Sequence, residues 1–464
     1  MQFILDLAAR VEGHEERLRR LEEQSRRDSR TSSMPPSLDP PKTRQQRRAE
    51  ARARAKELSR EDRKAGGQPG HRGMGRALRP EDQIDEIVDH FPEVCRGCGR
   101  EYSADERQLA GRFGRHQVAE LPPIGVILVE HRTHRLRCPE CHIKTTAELP
   151  AGIAGSMFGP RLRAAVVTLT ARNRVSRRGI CELAADLFGI MLSTGAVDTI
   201  CQRAAAALER PCEQLQAWVL GQDAIHVDET GWRTAGDSRA LWTAATERAS
   251  LFQIADHCNR EQFDQLVGEF AGIVISDRWN GYEHLEADRR QVCWSHIQRD
   301  FRRHSDGLAE QKIFGEQGLE LTRQVFGAWR GYQHEHRDRD RLQAEIAPIQ
   351  TALRQLLEDA SPNSKRTRWH RRFANNLLKV WPALWTFTTH PAVEPTNNPA
   401  ERALRGPVIH RKLSHSTRSD TGERFAERAL SAATTCRQQH RSLFEFLTEL
   451  ITAHSRGDPL PALT

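Results

Sequence analysis

The stretch Ala224-Ile225-His226-Val227-Asp228-Glu229-Thr230-Gly231-Trp232 sets two apolar residues, Ile225 and Val227, just ahead of two carboxylates and a glycine break. That pattern predicts a buried strand delivering Asp228 and Glu229 to the edge of a sheet. Gly272-Ile273-Val274-Ile275-Ser276-Asp277 repeats it, and Asn280-Gly281 supplies the break. Between the two runs lie strand-like residues 241–245 and 251–255, then a segment over 260–270 with Phe263, Leu266, Val267 and Phe270 at helical spacing. The expected order is strand, strand, strand, helix, strand. A three-strand meander followed by a crossover helix and a parallel strand makes a mixed sheet, in which the two aspartates can end side by side.

Carboxylates gathered in this way repel each other unless a cation sits between them. Hard oxygen ligands suit magnesium or manganese. Their usual employment is two-metal phosphodiester chemistry, with ions about 3.5–4 Å apart. Either aspartate alone reads equally as the polar close of a strand in a solvated turn. The pair, on this strand order, points to a metal site.

A chain of 464 residues suggests about three domains at roughly 150 residues each. Hydrophobic content of 38% against 28% charged predicts long solvated helices or linkers beside the compact part. A net charge of +8 and a pI near 9.1, with arginine dominating, favour a polyanionic partner. No run approaches the ~20 apolar residues of a membrane span, and the start lacks a signal-peptide pattern. Ten cysteines with two Cys-x-x-Cys pairs read as an intracellular protein with one metal site, not a disulfide framework. The expected location is cytoplasmic.

Residues 1–30 carry Ile4, Val11 and Leu18 seven apart, with Leu7 and Leu21 in the alternate seam and His14 interrupting it. They read as a coiled-coil zipper or as an amphipathic helix packed on its own domain. Residues 31–78 form a Pro/Ser-rich linker and a basic arm. Within it, residues 42–64 hold ten Lys/Arg, Arg47 and Arg48 included, against four Asp/Glu. Such an arm can track a DNA backbone or serve as a solvated tether.

Residues 79–148 contain Cys95, Cys98, Cys138 and Cys141, two turn-borne pairs suited to one tetrahedral structural zinc. The 39 residues between the pairs include strand-like residues 125–129, and His134 and His142 are spare ligands. Over 149–222 the pattern is helical. Residues 178–188, the break at Gly189 and a cap at Ser193 resemble a helix-turn-helix, with a plain helical bundle as the alternative.

Residues 223–307 hold the first part of the sheet. Residues 291–296 add a fifth strand that enters a basic helix with Arg299, Arg302 and Arg303. Cys293 and His296 at that junction can serve metal, serve DNA or simply pack. Residues 308–390 form a helical insertion, its seam marked by Leu342, Ile346, Ile349, Leu353 and Leu356. Residues 391–464 open on Pro395-Thr396-Asn397-Asn398-Pro399-Ala400-Glu401-Arg402-Ala403-Leu404-Arg405. Asn398 suits an N-cap, Pro399 the first helical position, and Glu401 the third. Glu401 is then either the far half of a capping box or a third carboxylate, with Arg402 and Arg405 for phosphate.

The ordered set resembles bacterial transposases of the insertion-sequence-66 family over nearly the whole chain. Its parts are the zipper-like start, Ser-Ser-x-Pro-Pro-Ser, Gly-Gly-Gln-Pro-Gly-His, the two cysteine pairs, His-x-Asp-Glu-Thr, Cys-Trp-x-His and Asn-Asn-x-x-Glu-Arg-x-Leu-Arg. The resemblance implies a DDE transposase: a ribonuclease-H-like core with a helical insertion between Asp277 and Glu401. It implies Asp228, Asp277 and Glu401 as ligands of two catalytic Mg2+ or Mn2+ ions, and Arg299, Arg402, Arg405, Arg47 and Arg48 as DNA contacts. Also implied are terminal-repeat binding, cleavage and strand transfer on double-stranded DNA, a homo-oligomer, and accessory proteins encoded by the same element. The rival readings are a DNA-binding descendant with a dead core and a nuclease on the same fold that does not join strands. One departure from the family stands out. The second aspartate there precedes Gly-Tyr-x-x-Tyr, whereas Asp277 precedes Arg278-Trp279-Asn280-Gly281-Tyr282.

Overall fold

The computed structural model describes residues 78–108, 114–122, 124–150, 152–153, 155–307, 309–334, 338–364, 367, 370–414 and 416–464. The expected zipper and the basic arm with Arg47 and Arg48 lie outside these residues. The described chain divides into two compact units between Ile124 and Gly125.

The smaller unit has little to hold it together. Val94 and Glu101 form an antiparallel bridge, and helix α1 (Ala104–Gln108) follows it. Ser103 caps that helix in a reciprocal box with Glu106. None of this unit's described residues is buried. A segment with no apolar core needs some other staple.

The larger unit begins with a small hairpin, β1 (Arg135–Arg137) paired with β2 (Lys144–Thr146). Residues 125–129, read above as strand-like, pair with nothing among the described residues. Ile127 and Leu128 are 92% and 86% exposed, so an apolar run without a partner edge stays open chain. Four helices come next: α2 (Pro160–Ala171), α3 (Arg177–Phe188), α4 (Thr194–Ala207) and α5 (Glu209–Leu220). The turn between α3 and α4 forms as its residues require. Gly189 takes the left-handed conformation at φ 64°, and Ser193 accepts the Ala196 N–H as N-cap.

The sheet follows with β3 (Ala224–Thr234), β4 (Asp237–Ala245), β5 (Ser250–Ala255), helix α6 (Arg260–Val267), β6 (Ile273–Ser276) and β7 (Arg290–Val292). Its spatial order is β5-β4-β3-β6-β7, antiparallel across the first three strands and parallel from β3 through β6 to β7. This is the mixed sheet that the alternation of apolar runs predicts. Helix α7 (Trp294–Ser305) leaves β7 directly. The insertion consists of α8 (Glu310–His334), α9 (Arg339–Ala360) and α10 (Arg371–Lys379). Its seam buries Leu342, Ile346, Ile349 and Leu353, then passes to Leu357 and leaves Leu356 half-buried. The chain finishes with α11 (Asn398–Ser414), α12 (Asp420–Gln438) and α13 (Leu443–Arg456).

Strand alternation sends neighbouring β3 residues to opposite faces. Ile225 and Val227 pack in the core formed with α2 to α5, α12 and α13. Trp232 packs on the other face with Ala400, Ala403 and Leu404 of α11. Beyond β6 and β7, Ile275 and Val292 pack with the insertion helices. The sheet is therefore covered by helices on both faces.

Candidate active site

Register brings the two aspartates together. In the parallel pair β3–β6, His226 stands beside Ile275. Asp228 and Asp277 each lie two residues further on, abreast where the parallel pairing stops: Asp277 just past the end of β6, Asp228 midway along β3, which continues to Thr234 against β4 alone. In the next pair Ser276 stands beside Val292, which sets Cys293 next in the row, its N–H donating to Ser276 O at 2.9 Å. Open α/β sheets place their ligand sites beyond the carboxyl ends of parallel strands.

Glu401 arrives from α11. Its N–H donates to Asn397 O at 3.2 Å, so the capping residue is Asn397, one position earlier than the sequence suggested. Glu401 is then one residue too deep for a capping box, and its carboxylate turns outward from its own first turn. Oε1 lies 3.7 Å from both His296 Nδ1 and Arg299 Nη2. The shift has a long-range cause. Asn397 is fully buried: its Nδ2 donates to Val227 O at 2.8 Å, and its Oδ1 meets His226 Nδ1 at 3.3 Å. Its backbone N–H donates to Cys293 Sγ at 3.1 Å, and the Trp294 N–H bonds Pro395 O at 2.8 Å beside it. Asn397 thus locks the start of α11 to the strand that carries Asp228. Sequence reading missed both Asn397 and its partner His226; an asparagine doublet before a proline was the available signal.

The acids resist ionisation together. Burial raises Asp228 well above the usual carboxylate range, and the charges of Glu229, Asp277 and Glu401 add to the effect. Burial likewise raises Asp277, against the Trp279 N–H at 2.8 Å and the cations Arg290, Arg278 and Arg299. Glu401 is raised by burial, with Arg299, Arg405 and Arg402 opposing and Asp277 assisting. A fourth carboxylate joins them. Glu229 is lifted to about 7 by burial and by Asp277, and it accepts the Tyr282 hydroxyl at 2.9 Å. Two carboxylates about 4 Å apart repel by about 4 kcal/mol at an effective dielectric of about 20. A divalent cation relieves that repulsion, and Glu401 Oε1 is buried without a hydrogen-bond partner. The donor set fits a hard divalent ion.

Cationic groups surround the acids. Arg402 and Arg405 are exposed on α11, and Arg299 is half-buried beside Glu401. A separate groove of about 770 Å³, lined by none of these acids, runs between α3 and the α11–α12 segment, with Arg174, Arg177, Arg178, His410 and Arg418 on its walls.

The two cysteine pairs fall in different units, and each forms the same turn. Cys95 N–H bonds Arg100 O and Gly99 N–H bonds Cys95 O, both at 2.8 Å. Cys138 N–H bonds Ile143 O at 2.9 Å, and His142 N–H bonds Cys138 O at 3.0 Å. The residue after the second cysteine is left-handed in both, Gly99 at φ 71° and His142 at φ 60°. Backbone N–H groups of Cys98 and Gly97 lower the Cys95 thiol to about 7. Those of Cys141 and Glu140 lower Cys138.

Fold and site together define a mixed-sheet α/β protein with an acidic centre ringed by arginines. Residues 155–424 match the transposase IS66 family, and the chain belongs to it. Residues 2–77 match a family of unknown function, DUF6444. The chain is also similar to the uncharacterized protein y4hP of Sinorhizobium fredii (strain NBRC 101917 / NGR234), with 23% identity over 398 residues, covering 77% of this chain and 70% of that protein. Family membership makes this protein a transposase with DNA as its partner, of a kind that uses divalent metal ions. Among the described residues, no helix is long and apolar enough to cross a membrane.

Proposed function

We propose that this protein is a DDE transposase with a ribonuclease-H-like core, acting on the terminal inverted repeats of its own insertion sequence. Asp228, Asp277 and Glu401 are its metal ligands, for two Mg2+ or Mn2+ ions. Bound there, the ions would lower the pKa of an attacking water or 3′-hydroxyl and stabilise the leaving oxygen. The observation that carries the reading is the convergence of carboxylates from β3, β6 and α11, with Asp228 set against the charge of both others. The chain's own groups do the positioning. Trp279 N–H pins Asp277, Arg299 steadies Glu401, and Asn397 fixes α11 against β3. Arg402 and Arg405 are free to meet phosphates from the exposed side of α11.

Cys95, Cys98, Cys138 and Cys141 hold one structural zinc in this reading. The matched turns, and the absence of buried residues among the described residues of the smaller unit, support it. The zipper-like start and Arg47 and Arg48 add dimer contacts and nonspecific DNA affinity, so the working form is a homo-oligomer. The protein would act on the nucleoid in the cytoplasm, with accessory proteins of the same element as partners.

The decisive assay uses purified protein, magnesium and a labelled duplex carrying the element's end and flank, with Asp277→Asn alongside. Metal-dependent nicking at the junction, absent in the variant, and joining of the 3′ end to target DNA are expected. Nicking without joining would make the protein a nuclease. Equal nicking by Asp277→Asn would remove the metal-ligand assignment.

A further inference from the structure

Cys293, His296 and Glu401 present a sulfur, an imidazole nitrogen and a carboxylate oxygen that all lie within 4.8 Å of one another. Two of these atoms are in an unusual state. His296 Nδ1 and Glu401 Oε1 are 3.7 Å apart, beyond hydrogen-bond reach, yet both are buried with no hydrogen-bond partner. The His296 residue as a whole is only 9% exposed. Each orphaned buried polar atom costs about 1–3 kcal/mol. Neutral packing would have closed the gap to a hydrogen bond and recovered that energy. It has not.

A tetrahedral ion with bonds of about 2.0–2.3 Å holds its donors roughly 3.3–3.8 Å apart. The separation of Nδ1 and Oε1 already falls in that window, and the sulfur lies within 4.8 Å of an imidazole nitrogen and a carboxylate oxygen. Arg299 Nη2, also 3.7 Å from Oε1, leaves the lone pair uncommitted. Cys293 sits at the N-cap of α7 and accepts the Asn397 N–H through its sulfur at 3.1 Å, a contact that opposes without overcoming the burial that pushes its thiol up to about 11, so a metal must displace the proton. Sulfur and imidazole are poor ligands for magnesium and good ones for zinc. Three protein donors with an open fourth position complete the description.

We propose that Cys293, His296 and Glu401 form a second metal centre, selective for a thiophilic divalent ion of the zinc class, and that its occupation withdraws Glu401 from the catalytic set. The second half rests on the catalytic reading above; the first half does not. On binding, the Cys293 S–H bond is replaced by a sulfur–metal bond and the proton passes to solvent. Zinc then acts as an off-switch on a magnesium enzyme, through one shared carboxylate.

The test titrates metal-stripped full-length protein with zinc and counts bound ions per chain by equilibrium dialysis and elemental analysis. Wild type should hold one ion more than Cys293→Ser or His296→Gln, or bind that ion at least about tenfold more tightly. Cys95→Ser should lose a different ion, so that Cys95→Ser/Cys293→Ser loses both. Metal-free melting curves check the fold, and His296→Gln carries the test should Cys293→Ser unfold. Equal zinc number and affinity in wild type, Cys293→Ser and His296→Gln would overturn the proposal. In the magnesium nicking assay, added zinc should inhibit wild type and spare Cys293→Ser; inhibition of both alike would overturn the off-switch. Absence of nicking by wild type loaded only with the zinc of the cysteine pairs, with the extra zinc equivalent demonstrated by titration, would remove the catalytic reading and leave the metal centre standing.

Discussion

Cys95 and Cys293 each open a four-residue turn whose last member, Cys98 or His296, is also a proposed metal donor, yet their thiols are shifted in opposite directions. Local N–H groups draw Cys95 down to about 7, whereas burial pushes Cys293 up to about 11 against similar N–H contacts. The difference lies in what surrounds the turn. Cys95 belongs to a hairpin whose described neighbours are exposed or half-buried, while Cys293 is fully buried between a parallel strand and the loop before α11. A local turn can therefore make a metal ligand by itself in the first case. In the second, the site exists only because distant chain has closed over it.

That contrast can be broken most severely at Glu401. Glu401→Gln should lower end nicking at least about a thousandfold, as expected for loss of a catalytic metal ligand. Cys98→Ser should leave the nicking of pre-bound ends within about threefold, a difference of under 1 kcal/mol in barrier. Comparable losses, measured by single-turnover nicking, would erase the distinction between the two sites. Next comes Asn397→Ala. It strips Val227 O and His226 Nδ1 of partners inside the core and should cost about 2–4 kcal/mol in urea unfolding. In metal-stripped protein, where no zinc is lost, Cys98→Ser on an exposed residue should cost less than about 0.5 kcal/mol of the same cooperative transition.

Alkylation gives a third comparison. In metal-stripped native protein, a maleimide should modify Cys98 and Cys141, both exposed, well before the buried Cys293. Mass spectrometry of a time course reads the order, and early labelling of Cys293 would show that its cover opens readily. The smallest effects lie inside the turns. Gly99→Ala forces a side chain to φ 71° and should weaken zinc binding by about 1 kcal/mol, or roughly fivefold. His142→Gly relieves φ 60° at the matching position and should strengthen it by a similar amount. Opposite signs at Gly99 and His142 would sharpen the case that both turns serve one kind of site.

Much of this arrangement was legible in the sequence because its signals are local. Ile225 and Val227 before Asp228, and residues 273–276 before Asp277, announced two buried strands, and the helix between them fixed their parallel sense. Ser193 and Gly189 announced the α3–α4 turn through their own backbone preferences. What stayed hidden was set at long range. Asn397 and Asn398 are equally good caps by type, and only the contacts of Asn397 with His226 and Val227 decide between them. Glu229 was legible as a carboxylate beside Asp228, but the Tyr282 hydroxyl that binds it comes from 53 residues away. Residues 125–129 carried strand-like residues but no partner edge, which residue type cannot reveal.

The closure that buries Cys293 also bears on timing. Glu401 is made long after Asp228 and Asp277, and Arg161 on α2 waits still longer for Glu445 on α13, which it grips at 3.1 and 3.2 Å. At about 5–20 residues per second on the ribosome, the first aspartate precedes the glutamate by roughly 9–35 s. A chain that is still being translated, even one already touching DNA, holds an unfinished acidic centre. Its synthesis enforces a delay before the acidic centre is complete.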